Sequence, residues 1–230
     1  MDIRIFEVGG CVRDRFLGRK CKDIDYAVEA PSFQAMVQFI LDKGGRIFLE
    51  KPEYHTVRAK LENVDADFVL CRKDGSYSDG RRPDSVAAGT ILDDLSRRDF
   101  AMNAVALDVA EGTHFDPFEG VKDIEAQLIR CVGRTEDRFS EDSLRMLRAI
   151  RFSISLGFKM SEEIQAALHE NSLVDKLANV SEERIREELL KCFRVDTLAT
   201  LELLHRFPKV RNIIFSADSK VWLTPTMQER

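Results

Sequence analysis

Two aspartates separated by one residue, Asp23 and Asp25, are the side chains whose type and spacing most clearly suggest chemistry. They lie in a segment, Asp23–Val28, that we predict to be a β-strand. Side chains two residues apart leave the same face of a strand, so the two carboxylates point the same way. Like charges that close repel each other unless a cation lies between them. Mg²⁺ fits this position, because it takes oxygen ligands and commonly binds one or two carboxylates together with substrate phosphates.

A glycine pair, Gly9–Gly10, precedes the aspartates at the point where a predicted strand, Ile3–Val8, leads into a predicted helix, Val12–Leu17. Glycines at such a junction leave backbone N–H groups open to an anion, and the start of a helix favours negative charge. A phosphate cradle beside a metal-binding carboxylate pair indicates metal-assisted phosphoryl transfer. Either feature alone is common at strand ends, so the interpretation depends on both occurring in this order.

The segment from Gly9 to Arg19, followed by Asp23-Ile24-Asp25, resembles the start of bacterial-type (class II) tRNA nucleotidyltransferases and bacterial poly(A) polymerases. Further segments match in the family's order: residues 94–104, 116–133, 138–152 and 183–189. The resemblance covers roughly residues 5 to 195 and implies an α+β fold. It predicts a polymerase beta-like nucleotidyltransferase head at residues 1–133, an all-helical neck at 134–195 and a partial helical body at 196–230, as in a CCA-adding enzyme with a shortened C-terminal part.

Hydrophobic periodicity also divides the chain near residue 134 into a mixed first part and a helical second part. In the first part we predict strands at Ile3–Val8, Asp23–Val28, Arg46–Glu50, His55–Leu61, Ala66–Arg72 and Val105–Val109, helices at Val12–Leu17 and Ser32–Lys43, and a loop over Lys73–Ala88. In the second part we predict helices at Ser140–Leu156, Ser161–Leu177, Ser181–Phe193 and Thr197–Phe207, and no further strand.

The resemblance implies a third metal-binding carboxylate on a strand next to the Asp23/Asp25 pair. In the family this residue lies a few positions before an arginine, and counting back from Arg72 gives Asp67. Asp65, two residues earlier on the same face, is the alternative, and both could instead be ordinary exposed strand charges. The expected catalytic and metal-binding set is therefore Asp23, Asp25 and Asp67, holding two Mg²⁺ ions.

The head should also hold the triphosphate of a nucleotide. Gly10 would let the backbone approach closely, and Arg13 would offer a planar cationic fork to phosphate oxygens. The resemblance suggests phosphate and ribose contacts for Arg98, Asp99 and Asn103, although Arg98 and Asp99 could instead form a structural ion pair at a helix start. The expected nucleotide-binding set here is Gly9, Gly10, Arg13, Arg98, Asp99 and Asn103.

Base recognition is expected from the predicted helix that begins at Ser140. Asp142, Arg145 and Arg148 recur at three-residue intervals and so share a face. An aspartate accepts from an amino group and an arginine donates, so one Asp/Arg pair can bond the edge of cytosine or adenine and refuse guanine and uracil. The resemblance implies this template role, and a solvated helix face with ion pairs is the alternative. The expected set is Glu141, Asp142, Arg145, Arg148, Arg151 and Arg184.

Composition narrows the protein class further. The 230 residues contain no apolar run of membrane-span length and no visible signal peptide, so we expect no membrane partner. Five scattered cysteines without a Cys-x-x-Cys pair favour reduced thiols in a cytoplasm. The net charge of -5 is not typical of a nucleic-acid-binding protein, but it does not exclude one, because the charge is distributed unevenly along the chain. Residues 130–151 hold six arginines against four acids.

Four activities share these motifs: CCA addition, CC addition, A addition and poly(A) tailing. CC-adding relatives lack a flexible loop after the third carboxylate, whereas residues 72–86 retain one. We favour CCA addition to tRNA from CTP and ATP, with A addition or poly(A) tailing next, and a homodimer is allowed for. The alternatives from other classes are a catalytically silent RNA-binding module and an oligonucleotide-activated signalling enzyme.

Overall fold

The computed structural model describes residues 3–21, 23–75 and 85–216. Its internal contacts divide the chain into two units, residues 1–126 and 127–230. The first is a sheet with helices and the second is mainly helical, so the α+β fold class expected from the sequence is confirmed.

The first unit contains nine strands and four α-helices among its described residues. The strands are β1 (Arg4–Val8), β2 (Ile24–Glu29), β3 (Arg46–Lys51), β4 (Thr56–Leu61), β5 (Val64–Leu70), β6 (Arg72–Asp74), β7 (Val86–Ala88), β8 (Ala106–Asp108) and β9 (His114–Phe115). The helices are α1 (Gly10–Phe16), α2 (Phe33–Asp42), α3 (Ile91–Ser96) and α4 (Gly120–Glu125), with short 3₁₀ turns at Pro52–Tyr54 and Ala101–Asn103. Every strand predicted in this region is present, with ends displaced by at most two residues.

Seven of these strands form one sheet in the order β3-β4-β5-β2-β1-β8-β9. The pair β2 and β5 is parallel, and every other neighbouring pair in this sheet is antiparallel. The tight turn between β4 and β5 places Glu62 and Asn63 at positive φ, 48° and 66°, the conformation that two-residue hairpin turns need. The sheet therefore brings two strands that are distant in sequence, β2 and β5, side by side.

Helix α2 covers one face of this sheet. Ser32 caps its start by accepting a hydrogen bond from the Ala35 backbone N–H, at 3.1 Å. Its buried side chains Phe33, Met36 and Ile40 follow helical spacing and pack on side chains of β2, β4 and β5. Because this face is closed by α2, charged side chains of the same strands must leave from the opposite face.

The predicted loop over Lys73–Ala88 has a short paired stem. Strands β6 and β7 are antiparallel, with Arg72 opposite Ala88 and Asp74 opposite Val86. The interpretation of the entire segment as loop was wrong at its two ends, because β-pairing between residues so far apart leaves no local pattern. Residues 76–84, the centre of the predicted loop, lie outside the described residues.

The second unit is built from short helices. They are α5 (Thr135–Glu141), α6 (Leu144–Leu156), α7 (Glu162–Ala167), α8 (Asn171–Val174), α9 (Glu182–Val195), α10 (Thr197–Arg206) and α11 (Pro208–Ile214), with a 3₁₀ turn at Asp175–Asn179. Two short strands, β10 (Leu128–Ile129) and β11 (Lys159–Met160), form a parallel pair, so the expectation of no strand after residue 133 was wrong. None of the helices in the described part of the chain is both long and apolar enough to cross a membrane.

Two helices of the second unit were predicted as continuous and are not. The expected helix Ser140–Leu156 is divided between α5 and α6, because Asp142 takes extended angles, φ -147° and ψ 104°. The expected helix Ser161–Leu177 is divided between α7, α8 and a 3₁₀ turn. Apolar spacing continues through both breaks, so periodicity could not reveal them. The first break decides how Asp142 is presented.

Candidate active site

The sheet register places two carboxylates next to each other. Asp25 at the start of β2 lies directly opposite Asp67 of the parallel neighbour β5. Residues opposite each other in neighbouring strands project from the same face, so both side chains leave the face that α2 does not cover. Asp67 was predicted from the resemblance, and the register puts it, rather than its rival Asp65, beside Asp25. Asp65 lies opposite Lys60 of β4 instead.

The charge environment of Asp25 is unfavourable for an ionised carboxyl. Burial, together with the nearby charges of Asp67 and Asp23, raises the pKa of Asp25, while the Arg98 guanidinium acts in the opposite direction. Asp23 precedes β2 and is exposed, and no three His, Cys, Asp or Glu side chains of the described residues converge into a metal-binding cluster. The pair Asp25/Asp67 is thus brought together by the sheet, and Asp23 is near enough to act on Asp25 through its charge.

A basic residue borders the acidic pair. Arg58 of β4 lies opposite Asp67, and its Nη1 is 3.9 Å from Asp67 Oδ2. Both side chains are partly exposed, 55% and 39%, so this ion pair contributes little to stability. Its effect is instead local, because it places a cation beside Asp67, whose neighbour on β2 is the like-charged Asp25.

The glycine pair forms the turn between β1 and α1. Gly9 has φ 76° and ψ -137°, a conformation that favours glycine, and it caps α1 without a side-chain hydrogen bond. A Cβ atom at Gly9 would lie 3.1 Å from Nη1 of Arg98 and 4.0 Å from Oδ2 of Asp25. The bare backbone at Gly9 therefore lies between an arginine fork and a carboxylate of the acidic pair.

Arg98 is held by an acid that the sequence did not single out. Asp94 of α3 is 1% exposed, and its two oxygens bind both following arginines. Oδ2 accepts from Nη2 of Arg98 at 2.9 Å, and Oδ1 accepts from Nη2 of Arg97 at 2.5 Å. Burial opposes the charge of Asp94, but Arg98 and Arg97 overcome this and lower its pKa. Asp94 therefore keeps its charge and fixes the direction of Arg98.

Arg13 is fixed by a second network that includes two other predicted residues. Nη1 of Arg13 donates to Oδ1 of Asn103 at 2.8 Å, and the Asn103 amide donates to Asp99 Oδ1 at 3.1 Å. Asp99 Oδ1 also accepts the Phe100 backbone N–H at 2.8 Å. The alternative of an Arg98–Asp99 ion pair is wrong, because the carboxylate that pairs with Arg98 is Asp94.

A close backbone approach sets the position of this second network. Gly120, the first residue of α4, packs so tightly on the turn Ala101–Asn103 that a Cβ atom there would lie 2.1 Å from the Ala101 carbonyl oxygen. No heavy-atom contact is that short, so position 120 admits only glycine unless the turn moves. Asn103 ends that turn, which ties its side chain to the start of α4.

In the second unit, Arg145 and Glu141 form a partly buried ion pair. Arg145 Nη1 lies 2.7 Å from Glu141 Oε2 and also donates to the Arg138 carbonyl oxygen at 3.0 Å. Arg138 binds the other oxygen of Glu141 at 2.5 Å. Glu141 thus holds two arginines, and Arg145 is oriented by it at the start of α6.

Asp142 is presented from the break between α5 and α6. Its side chain binds Arg184 of α9 through two nitrogen–oxygen contacts, at 2.8 Å and 3.4 Å. It also accepts the Leu144 backbone N–H at 3.1 Å, which anchors the start of α6. Arg184, which was expected to support these residues from the next helix, therefore contacts Asp142 directly. The shared helical face was wrong for Asp142, because this residue lies outside the helix that carries Arg145 and Arg148.

The two remaining arginines of α6 lie along one aromatic ring. The guanidinium carbons of Arg151 and Arg148 are 4.0 Å and 5.5 Å from the centroid of Phe152. Arg151 also donates to Glu188 of α9 at 2.5 Å. Glu188 is 4% exposed and binds Lys191 as well, at 3.0 Å. Burial opposes its charge, yet Arg151 and Lys191 prevail and lower the pKa of Glu188.

Sequence reasoning missed Asp94 and Glu188, and both left a usable signal. Each acid replaces an apolar residue in a helical stripe: Asp94 follows Ile91 by three residues, and Glu188 follows Ile185 by three. A charge in a core stripe is expected only with a partner. Asp94 has arginines three and four residues later, the spacing at which helix side chains meet, so its partners were visible as well.

Family models match both units of the chain. Residues 5–130 match the poly(A) polymerase head domain, and residues 157–208 match a domain described as a probable RNA- and SrmB-binding site of polymerase A. The CCA-adding enzyme of Geobacillus kaustophilus is 41% identical over 187 residues, and that of Lactobacillus johnsonii is 39% identical over 187 residues. The matched region is 80% of this chain and 44% of each relative.

Solved structures resemble the fold as well. The CCA-adding enzyme of Bacillus stearothermophilus in complex with CTP matches with a TM-score of 0.80 and 31% identity, over 95% of this chain and 51% of that one. A tRNA nucleotidyltransferase complexed with a primer tRNA and an incoming ATP analogue matches with a TM-score of 0.77 and 29% identity, over 93% and 60%. The chain thus spans about half the length of the proteins it resembles.

Proposed function

The chain belongs to the family defined by the poly(A) polymerase head domain, and from that membership we propose that it adds the CCA end, or its terminal A, to tRNA. The substrates would be CTP and ATP, and the reaction would be attack of an RNA 3′-hydroxyl on the α-phosphate with release of pyrophosphate. The observation that carries the proposal is the pairing of Asp25 with Asp67 on the open face of the sheet, beside the bare backbone of Gly9.

The carboxylates are suited to hold Mg²⁺. Asp25 and Asp67 stand in register with carboxylate oxygens on one face, and burial, together with the charges of Asp67 and Asp23, raises the pKa of Asp25, so a bound cation would stabilise its ionised form. We propose Asp25 and Asp67 as ligands, with Asp23 as the third. Bound there, two Mg²⁺ ions would stabilise the charge on the attacking and leaving oxygens.

Fixed cations of the chain would hold the triphosphate. Arg98 and Arg13 each have a planar fork that neighbouring side chains hold in one direction, Asp94 in the first case and Asp14 with Asn103 in the second. A fork that is already oriented loses less side-chain entropy when it binds phosphate oxygens. Gly9 and Gly10 would let the backbone N–H groups approach the same phosphates.

Base selection is proposed for the second unit. Asp142 offers carboxylate oxygens and Arg145 offers N–H donors, the complement of the cytosine and adenine edges. Arg184 and Glu141 orient these two side chains in the structure, so their geometry is prepared before a base arrives. We assign Arg148 and Arg151 a supporting position along α6. The CTP and ATP-analogue complexes of similar proteins support a site that accepts either nucleotide.

The decisive experiment supplies a tRNA lacking its last three nucleotides with Mg²⁺ and labelled triphosphates. We expect CTP and ATP to be incorporated and UTP and GTP to be refused, and with CTP and ATP together the product should stop after CCA. Long tails from ATP alone would instead indicate poly(A) polymerase activity, the alternative favoured by the description of the head-domain family. Absence of incorporation by a folded protein would contradict the proposal.

A further inference from the structure

We propose that the face of strands β3 and β4 binds the single-stranded 3′ end of the acceptor RNA and directs it towards Asp25 and Asp67. This inference rests on the proposed function and adds a surface to it. The surface, which we name the basic strip, consists of Arg46, Lys51, Arg58 and Lys60.

The register shows that the basic strip shares a face with the carboxylates. Arg58 lies opposite Asp67, and Lys60, two residues along β4, leaves the same face. On the next strand outward, Arg46 lies opposite Lys60, and Lys51 lies opposite Thr56. Directly paired residues point to the same side, so the strip runs outward from the acidic pair across two strands to the edge of the sheet.

The charges of the strip are only partly neutralised by the fold, because Arg58 pairs with Asp67 and Lys60 lies opposite Asp65. Arg46 and Lys60 are exposed, and neither makes a salt bridge within the described part of the chain. They face each other directly across the two strands, an arrangement of like charges that destabilises a sheet. An anion lying over both would relieve this repulsion. Four cations against Asp65 and Asp67 leave this face with a positive excess in a chain of net charge -5, which favours a polyanionic partner.

The surroundings of the strip favour a nucleic acid over a simple anion. A β-bulge between Ile47 and Leu49 interrupts β3, and Phe48 there is 49% exposed, with the Arg46 guanidinium 5.7 Å from its ring centroid. Tyr54, in the turn that follows β3, is 52% exposed. Cations that follow a backbone, with exposed aromatic rings on which bases stack, are the elements of single-strand binding.

Three charge-reversal variants test the strip. Arg46→Glu and Lys60→Glu, singly and together, invert its charge without touching the acidic pair, whereas Arg58 is left intact because it contacts Asp67. Lys43→Glu is the matched control, since Lys43 is an exposed cation at the end of α2, on the other face of the same sheet. Melting curves of all variants establish that each is folded.

Binding is measured without catalysis, by fluorescence anisotropy of a labelled single-stranded RNA in EDTA at several salt concentrations. We expect several-fold weaker binding for each strip variant, a larger decrease for the double variant, and none for Lys43→Glu. The slope of log affinity against log salt should become shallower by about 0.7 for each RNA phosphate that the variant no longer neutralises. In the incorporation assay, KM for RNA should rise while KM for CTP and ATP stays unchanged.

The outcomes separate this inference from the proposed function. If the strip variants bind RNA as tightly as Lys43→Glu does, the proposal that the basic strip binds RNA is refuted, even if the wild-type protein adds CCA normally. A raised KM for the nucleotide with unchanged RNA affinity also overturns it, because the cations would then serve the triphosphate. Weaker RNA binding in the strip variants supports the surface even if no incorporation is detected, a result that would contradict only the proposed activity.

Discussion

At the scale of single residues, the acidic pair is the part of the site with the sharpest test. Asp67→Asn keeps the size of the side chain and removes one charge, so we expect incorporation to fall to background while thermal stability is kept or raised, because repulsion with Asp25 is relieved. Asp65→Asn is the matched control, two residues away on the same strand and face, and should retain activity. The measurements are labelled-nucleotide incorporation and melting temperature, and equal activity in the two variants would contradict the assignment of Asp67.

Asp142 allows a second test at this scale. Asp142→Asn keeps a hydrogen-bonding side chain but replaces one acceptor oxygen with a donor, so discrimination should fall more than nucleotide binding. Sites that pair polar groups with the correct ligand lose selectivity when that pairing is disturbed. The measurement is kcat/KM for CTP, ATP, UTP and GTP. Asp137→Asn, an exposed acid of α5, serves as control. An unchanged order and ratio of the four values in Asp142→Asn would refute the base-reading role.

At the scale of secondary-structure elements, α6 and α9 are joined by a buried charge. Glu188 on α9 binds Arg151 on α6 at 2.5 Å, and its lowered pKa means that the folded state favours the ionised form. Its stabilising effect is therefore complete at pH values above the ordinary glutamate pKa of 4.5 and is lost as the pH falls below that value. We expect Glu188→Gln to reduce the free energy of unfolding by about 2 kcal/mol at pH 7.

The check is urea unfolding of Glu188→Gln and wild type from pH 7 to pH 3. The difference between the two proteins should shrink as the pH falls, since wild-type Glu188 is then protonated as well. Glu187→Gln, an exposed neighbour, is the control and should behave like wild type throughout. A difference that stays constant with pH would mean that packing, and not charge, links the two helices.

The elements also show where sequence reasoning succeeded and where it stopped. The local sequence pattern predicted strands β2 and β5, whereas Asp67 was predicted from the family resemblance, and its position opposite Asp25 depends on the pairing of the two strands. The break at Asp142 was invisible, because apolar spacing continues through it and the partner of Asp142, Arg184, lies 42 residues away. The β6–β7 stem likewise depends on pairing between separated residues, whereas the pairing of Asp94 with Arg98 follows from a local four-residue spacing that was present in the sequence.

At the scale of the whole molecule, the proposed tasks are divided between the two units. The residues assigned to the triphosphate and Mg²⁺ lie in residues 1–126, and those assigned to the base lie in residues 127–230. We expect a fragment of residues 1–126 to bind CTP, ATP, GTP and UTP with similar affinity, while the full chain prefers CTP and ATP. Equilibrium binding measures this, after circular dichroism has shown that the fragment is folded. A fragment that keeps the preference would place base selection in the first unit.

Gly120 is a position at which the fold is sensitive to any substitution. It carries no charge, donates nothing to a substrate and belongs to no proposed binding set, yet the 2.1 Å gap that a Cβ would face at the Ala101 carbonyl leaves no room for one methyl group. A random library of variants should therefore tolerate many changes at exposed charged positions and almost none at position 120. Amino-acid substitutions in this chain are therefore constrained at a close backbone contact as well as at the proposed active site.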